Sequence, residues 1–278
     1  ILITKFKGAF FMDTEIFLSR RFSPAELHKE LAEKLGFPEH YGKNLDALYD
    51  CLKEIKSLDA DIYISHENIE NSTIDGILDV FYKVSEENDS FSFSVHNEEF
   101  LNIVDENEHV TNCIKPRSLV HRDGDGHLTS HVWIIRRVDM SIYVLLQKRS
   151  KDKLFFPDYY DVSSAGHTSA GEETRYSAVR ELEEELGIVT DPRNLEFVGM
   201  IKSTKICDTR LGKRTDKEFA TVFIYKKPVE IENLKLQESE VSEVCWVDID
   251  ECIARINDEN FPNCLNLSEL KRLRKKVL

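Results

Sequence analysis

Residues 166–188 read GHTSAGEETRYSAVRELEEELGI, and this stretch decides how the second half of the chain is understood. Residues 173–186 have the texture of a strong helix, and Gly187 stands where a left-handed cap would close it. Glu181, Glu184 and Glu185 fall at i, i+3 and i+4. Those positions share one helix face, with Cβ atoms roughly 5–6 Å apart. Carboxylates that close repel one another unless cations sit among them. Mg²⁺ takes hard oxygen ligands and keeps several waters, so such a face suits Mg²⁺ with a phosphate group completing its shell. Arg180 is adjacent and can orient a carboxylate through a forked hydrogen-bond pair. Gly166 and Gly171 allow tight backbone ahead of the helix, where a carbonyl oxygen can join the shell. Taken alone, RELEEE is the pattern of a solvated acidic helix face. The spacing of the whole segment separates the two readings.

That spacing resembles the Nudix box, G-x5-E-x7-R-E-U-x-E-E-x-G-U with U apolar. Gly166, Glu172, Arg180, Glu181, Leu182, Glu184, Glu185, Gly187 and Ile188 fill its nine specified positions. The resemblance implies an α/β/α sandwich with a mixed sheet and a metal-dependent hydrolase that splits a diphosphate linkage in a small molecule. It also implies Mg²⁺ (or Mn²⁺) as cofactor, Glu181, Glu184 and Glu185 as ligands, Arg180 as their orienter and Gly166 as a carbonyl donor. The chemistry is charge neutralisation on the diphosphate and activation of an attacking water, with a carboxylate accepting its proton. Glu181, Glu185 and a glutamate outside the box all remain candidates for that acceptor; Glu240, before Trp246, is one.

The wider segments LVHRDGDGHLTSHVWII, VLLQKRS, FFPDYYDVSSAGH, DKEFATVFIY and ESEVSEVCWVD are similar to the Nudix branch related to isopentenyl-diphosphate isomerase, over about residues 98–250. In those isomerases a catalytic cysteine precedes the Gly-His pair. Here that slot is Ala165, which has neither nucleophile nor acid, so the resemblance implies hydrolysis rather than isomerisation. Asp216 and Glu218 match acidic metal-binding positions of the isomerases, and Glu218 is the preferred extra ligand. Lys148, Arg149 and His167 are expected to meet substrate phosphates. His121, Arg122 and His131 could add positive charge, although a histidine on an apolar strand is usually structural. Trp133 and Trp246 read as core.

The first part of the chain has a different character. Residues 24–36, PAELHKELAEKLG, carry apolar positions at helical spacing, with Ser23 as N-cap, Pro24 in the first turn and Gly36 as C-cap. Further helices are expected at about 43–56 and 73–87, and DIYIS and FSFSV alternate as strands do. FPEHYGKNLDALYDCL, from Phe37, resembles barstar, the intracellular inhibitor of the ribonuclease barnase, over about residues 14–95. The resemblance implies a small parallel sheet flanked by helices and a surface that binds a basic ribonuclease. Asp46 and Asp50 share a helix face with Tyr49 nearby, and with His40 they are the expected protein-binding residues. Complementary charge of this kind speeds encounter and selects partners; barnase–barstar is the standard example of both effects. His40, Tyr49, Ile55 and Lys83 depart from the inhibitor's contact residues.

Composition bounds the rest. The chain has 278 residues and a net charge of −14. Residues 1–96 carry 10 Lys+Arg and 18 Asp+Glu, or −8; residues 97–278 carry 27 and 33, or −6. The expected division is therefore an acidic module over 1–96 and an enzyme over 97–278, joined by a polar connection from His96 to Cys113. An acidic surface repels nucleic-acid phosphates, so binding to DNA or RNA as a polymer is not expected. The six cysteines lack zinc-ligand spacing and read as thiols of a reducing compartment. No apolar run is long enough to span a membrane, the start Ile1-Leu2-Ile3-Thr4-Lys5 lacks a signal-peptide pattern, and it lacks an initiating Met, as a fragment would. The expected address is the cytoplasm. Two functions stand side by side: a diphosphate hydrolase acting on a nucleoside or isoprenoid-type diphosphate, and a ribonuclease immunity protein in which the Nudix half is accessory.

Overall fold

The computed structural model describes residues 12–66 and 70–278; the start of the chain at Ile1–Lys5 lies outside the described residues. The chain divides into two compact units. The first runs up to residue 100 and includes 115–117; the second comprises 101–114 and 118–278.

Unit 1 is a parallel sheet with helical crossovers. Its elements are β1 (Met12–Leu18), α1 (Pro24–Leu35), α2 (Leu45–Glu54), β2 (Leu58–Ser65), α3 (Ser72–Glu87) and β3 (Phe91–Glu98). The strands lie in the order β1-β2-β3, with Ile16 beside Ile62 and Ile62 beside Val95. Local chemistry explains the helices. Ser23 and Glu26 cap α1 reciprocally, Pro24 occupies its first turn, and Gly36 ends it at φ 66°. Asn44 caps α2 by accepting from Ala47 N–H. Leu27, Leu31 and Leu35 of α1, Leu48 and Leu52 of α2, and Ile74, Ile77, Phe81 and Val84 of α3 bury one stripe each against Ile16, Leu18, Ile62 and Ile64. A Cβ on Gly76 would lie 2.7 Å from Leu45 Cδ1, so glycine lets α3 approach α2 closely.

The remaining elements, nearly all of them in unit 2, are β4 (Phe100–Val104), β5 (Val110–Pro116), α4 (Arg117–Asp123), β6 (Gly126–Val138), β7 (Ser141–Arg149), β8 (Tyr160–Asp161), β9 (Ser164–His167), α5 (Thr174–Leu186), β10 (Leu195–Thr209), β11 (Gly212–Tyr225), β12 (Val241–Asp248), α6 (Ile249–Arg255) and α7 (Leu267–Val277). The stretch expected to be a polar connection is in fact β-structure: the end of β3, then β4 and β5 around the turn at Asp105–Glu108. Most of its charged residues sit in or beside the turn, while Phe100, Leu101 and Val104 are buried.

Strand β6 organises the mixed sheet. It pairs in parallel with β11 along one side, and antiparallel with β4, β9 and β7 in turn along the other. Two apolar clusters use its two faces. Val132 and Ile134 pack with Ala178, Leu182 and Leu186 of α5, whereas Trp133 packs with Val222, Ile224 and the apolar sides of α6 and α7. Among the described residues no helix is long and apolar enough to cross a membrane.

Phe81 is fully buried and its ring meets Phe91 and Phe93 at 5.6 and 5.5 Å. Phe81→Ala is expected to remove about 3–5 kcal/mol from the unfolding transition of unit 1. Urea titration of the whole protein, followed by circular dichroism, checks this; unit 2 should unfold at its original midpoint.

Candidate active site

Helix α5 is seated by Ala178, Leu182 and Leu186, which leaves Glu181, Glu184 and Glu185 along the flank that meets β9. Gly187 closes it at φ 71°, its N–H reaching the carbonyls of Leu182 and Glu183. The three acids differ in setting. Glu184 is half exposed. Glu181 lies so close to Gly166 that a Cβ there would stand 2.0 Å from its Cδ and 2.2 Å from its Oε1. Glu185 is buried, and its Oε2 accepts from Ala165 N–H at 3.1 Å and Gln147 Nε2 at 3.4 Å. Arg180 draws the cluster together. Its Nη1 donates to Glu181 Oε1 (2.7 Å) and Glu184 Oε2 (3.1 Å), and its Nη2 donates to the His167 carbonyl (3.2 Å) and lies 3.5 Å from Glu172 Oε2. Glu172 in turn accepts from Ser177 Oγ at 2.6 Å.

A second group of donors sits beside the first. His121 of α4, His127 of β6, His167 of β9 and Asp216 of β11 present ligand atoms all within 4.8 Å of one another. Asp216 Oδ1 is 3.4 Å from His127 Nε2 and 3.6 Å from His121 Nε2, and the Nε2 atoms of His121 and His167 are 3.3 Å apart. His127 Nε2 and Asp216 Oδ1 are buried without an aligned hydrogen bond. Buried polar atoms rarely go unsatisfied, so the pair fits a divalent ion. Imidazole with one carboxylate suits transition ions such as Mn²⁺ or Zn²⁺, whereas the all-carboxylate face of α5 suits Mg²⁺. Burial opposes the charge on Asp216, but His127 and His121 outweigh it and hold the carboxyl below its ordinary value.

The remaining expected residues fall around these groups. Glu218 is across the β11–β6 ladder from His127, with Lys205 Nζ 3.9 Å from its Oε2. Burial, then the charge of Asp216, raises its pKa. Arg149 is not an open phosphate ligand: its Nη1 pairs with Asp161 at 2.8 Å and its Nε donates to the Phe155 carbonyl. Burial opposes the Asp161 charge, yet Arg149 holds that carboxyl at about 2. Lys148 projects from the opposite side of β7 to Arg149, as neighbours in a strand do. His167, expected on substrate, stands among the imidazoles. Glu240 is paired with Lys153. The six cysteines are unpaired thiols, and Trp133 is core. The convergence of His121 and His127 with His167 and Asp216 was not legible in sequence. The sequence marks Asp216 as a metal-binding position and His121 and His167 as sources of positive charge, but four separate elements deliver the group, and His127 carried no signal of its own.

In unit 1, Leu48 and Leu52 fix the roll of α2 and leave Asp46 and Asp50 exposed. His40 is exposed in the turn before it. Tyr49 is tied down: its hydroxyl donates to Glu87, Lys53 Nζ donates back to it at 3.3 Å, and Lys83 Nζ lies 4.1 Å over its ring.

Unit 2 thus presents the donor set of a divalent-cation enzyme on a helix laid against a glycine–histidine strand. Residues 127–264 match the family model for the NUDIX domain, and residues 11–97 match that for Barstar (barnase inhibitor). An uncharacterized Nudix hydrolase of Clostridium acetobutylicum is 41% identical over 164 residues, covering 59% of this chain and 76% of its own. Nudix hydrolase 3 of Arabidopsis thaliana is 40% identical over 156 residues, which span 55% of this chain but 20% of that protein. The isopentenyl-diphosphate Delta-isomerase of Cutibacterium acnes is 29% identical over 165 residues, covering 58% and 79%. The chain belongs to the Nudix hydrolase family.

Two outcomes follow from this geometry. Gly166→Ala should push the Glu181 carboxyl aside and weaken Mn²⁺ binding roughly tenfold to a hundredfold, as loss of supporting contacts around metal ligands does; isothermal titration calorimetry measures it. Burial is the main cause that raises the Glu185 pKa, above an unfolded value of about 4.3. Losing the Glu185 proton therefore costs more in the folded, metal-free protein than in the unfolded chain. Its contribution is complete below the unfolded value and is lost as the pH rises through the folded one. Melting temperatures of the metal-free protein from pH 4 to 8 should fall less steeply in Glu185→Gln than in the parent.

Proposed function

We propose that unit 2 hydrolyses a diphosphate linkage in a nucleoside or isoprenoid-type diphosphate with Mg²⁺ or Mn²⁺. The observation that carries this reading is the gathering of Glu172, Glu181 and Glu184 around Arg180, with Glu181 pressed on Gly166 and Glu185 beside it on the Ala165 N–H. So many acids in one place are tolerable only with cations between them. Glu181, Glu184, Glu185 and the Gly166 carbonyl would hold Mg²⁺, and the imidazole–Asp216 group would hold a transition ion. When bound, such ions neutralise the diphosphate and acidify water. Arg180 keeps the carboxylates oriented. Glu218 would be a further metal ligand, and Glu181 or Glu185 would accept the proton of the attacking water. Lys148 remains the proposed substrate-facing group, with His167 counted among the metal-holding imidazoles and Arg149 acting through Asp161. Ala165 brings no thiol or acid to the slot before Gly166, which favours water as the nucleophile.

For unit 1 we infer a protein-binding module whose exposed Asp46 and Asp50, with His40 and Tyr49 alongside, meet a basic partner such as a ribonuclease. Lys53 and Lys83 around Tyr49 offset part of that acidity, so the partner's basic surface would centre on the Asp46 end of α2. The unpaired thiols accord with a cytoplasmic protein.

A panel of nucleoside and isoprenoid diphosphates, assayed with Mg²⁺ for released phosphate, tests the enzyme. Glu184→Gln should lower turnover by two orders of magnitude or more, about 3 kcal/mol of transition-state stabilisation, without altering the melting temperature. Product masses should show one added water; unchanged mass would mean isomerisation. Separately, Asp50→Ala should weaken capture of a basic microbial ribonuclease while leaving diphosphate turnover intact.

A further inference from the structure

Alternate residues of a strand point the same way, so His127, Thr129, His131 and Trp133 share one face of β6. His127 belongs to the imidazole group. Thr129, opposite His167 in the β6–β9 ladder, is 2% exposed, and its Oγ1 has no hydrogen-bond partner among the described residues. His131 stands opposite Ala165. Directly opposed residues have Cβ atoms about 5 Å apart. The methyl of Ala165 therefore leaves the His131 ring room beside the residue whose N–H holds Glu185.

The ring is held from behind. His131 Nδ1 lies 3.0 and 3.2 Å from the two oxygens of Glu269, whose Oε1 also accepts from Trp133 Nε1 at 2.7 Å. Glu269 is 1% exposed and comes from the first turn of α7, anchored by Leu270, Leu273 and Val277. Burying a carboxylate costs several kcal/mol unless it is well paired. Here the whole pairing is directed at one nitrogen of His131 and at the indole. Nδ1 is thereby committed, and Nε2 has no partner among the described residues. The other charged groups facing His131 are Glu218 of β11 and Asp161 of β8, which have Lys205 and Arg149 as their own partners. Burial works against a charge on His131, but Glu269 outweighs it and raises the imidazole to about 9. The Glu269 carboxylate thus favours the protonated ring.

We propose that His131 and Thr129 form a subsite for the non-bridging oxygens of the substrate's diphosphate, one step along β6 from the imidazole–Asp216 group. His131 Nε2–H and the Thr129 hydroxyl donate to phosphoryl oxygen, and Glu269 is the positioning residue that sets the ring. This rests on the diphosphate reading of unit 2 and names part of the surface that recognises the charged end of the ligand.

Methylenediphosphonate, which cannot be hydrolysed, is the probe. Its binding in the presence of Mg²⁺ is measured by calorimetry on the full chain and on His131→Ala, His131→Gln, Glu269→Gln and Thr129→Val, with melting temperatures alongside. His131→Ala should weaken binding tenfold to a hundredfold, the range for a hydrogen bond to a charged group. His131→Gln keeps a donor and should recover part of the loss. Thr129→Val, nearly the same shape without the hydroxyl, should weaken binding severalfold even if the histidine variants fold poorly. A purely structural pair would lower melting temperatures and leave the affinity of the folded protein within twofold of the parent; that result in His131→Ala or in Thr129→Val overturns the subsite. Should the parent bind the probe and turn over diphosphates while these variants do the same, the subsite alone fails. Should the parent neither bind the probe nor turn over any diphosphate, the functional reading of unit 2 fails with it.

Discussion

The contact between the Glu181 carboxyl and the backbone of Gly166 is the constraint on which the site depends. No side chain larger than hydrogen leaves room there, because a Cβ would stand 2.0 Å from the carboxyl carbon, far inside van der Waals contact. The same approach brings Glu185 to the Ala165 N–H and Arg180 to the His167 carbonyl. A four-residue strand thus receives a carboxylate helix along its length. The Arg180 guanidinium offsets repulsion between Glu181 and Glu184, and its bond to the His167 carbonyl ties α5 to β9.

Strand β6 converts that local contact into a site. Its long parallel pairing with β11 aligns His127 with Glu218, and its short antiparallel pairing with β9 aligns Thr129 with His167 and His131 with Ala165. One face therefore carries a graded series of polar groups while the other packs α5. The buried charges nearby are paired by type: Arg149 with Asp161, Lys205 with Glu218, His131 with Glu269. Such pairs add little net stability compared with apolar packing, but an unpaired member would be costly. Their presence in the middle of a core is better explained by chemistry than by folding.

Unit 1 follows a different logic. Its stability resides in an apolar interior of leucines, isoleucines and phenylalanines, with nearly all charge at the surface. The helix that exposes Asp46 and Asp50 is held by Leu48 and Leu52 and leans on Gly76, so its acidic side is presented by a rigid element. Lys53 and Lys83 gather around Tyr49 and give the surface a polarity, acidic toward the N-terminal end of α2 and mixed toward its C-terminal end.

Local patterns alone determined the three helices of unit 1, α5 and the strands β2 and β3, because capping by Ser23, left-handed closure at Gly36 or Gly187 and alternation in a strand depend on neighbours a few residues away. The box from Gly166 to Ile188 was legible for the same reason: its acids need only one helix to come together. Residues 96–113 were misread, since strands there are short and a charged turn dominates the composition. Pairing across distance lay beyond sequence. Nothing near His131 announces Glu269, 138 residues later, and nothing near His121 announces Asp216. Arg149, with the look of an open phosphate ligand at a strand end, turned out to be spoken for by Asp161. Charges are assigned partners only when strands and helices are packed, because the energy of a buried ion depends on what stands within a few ångströms and not on what precedes it in the chain.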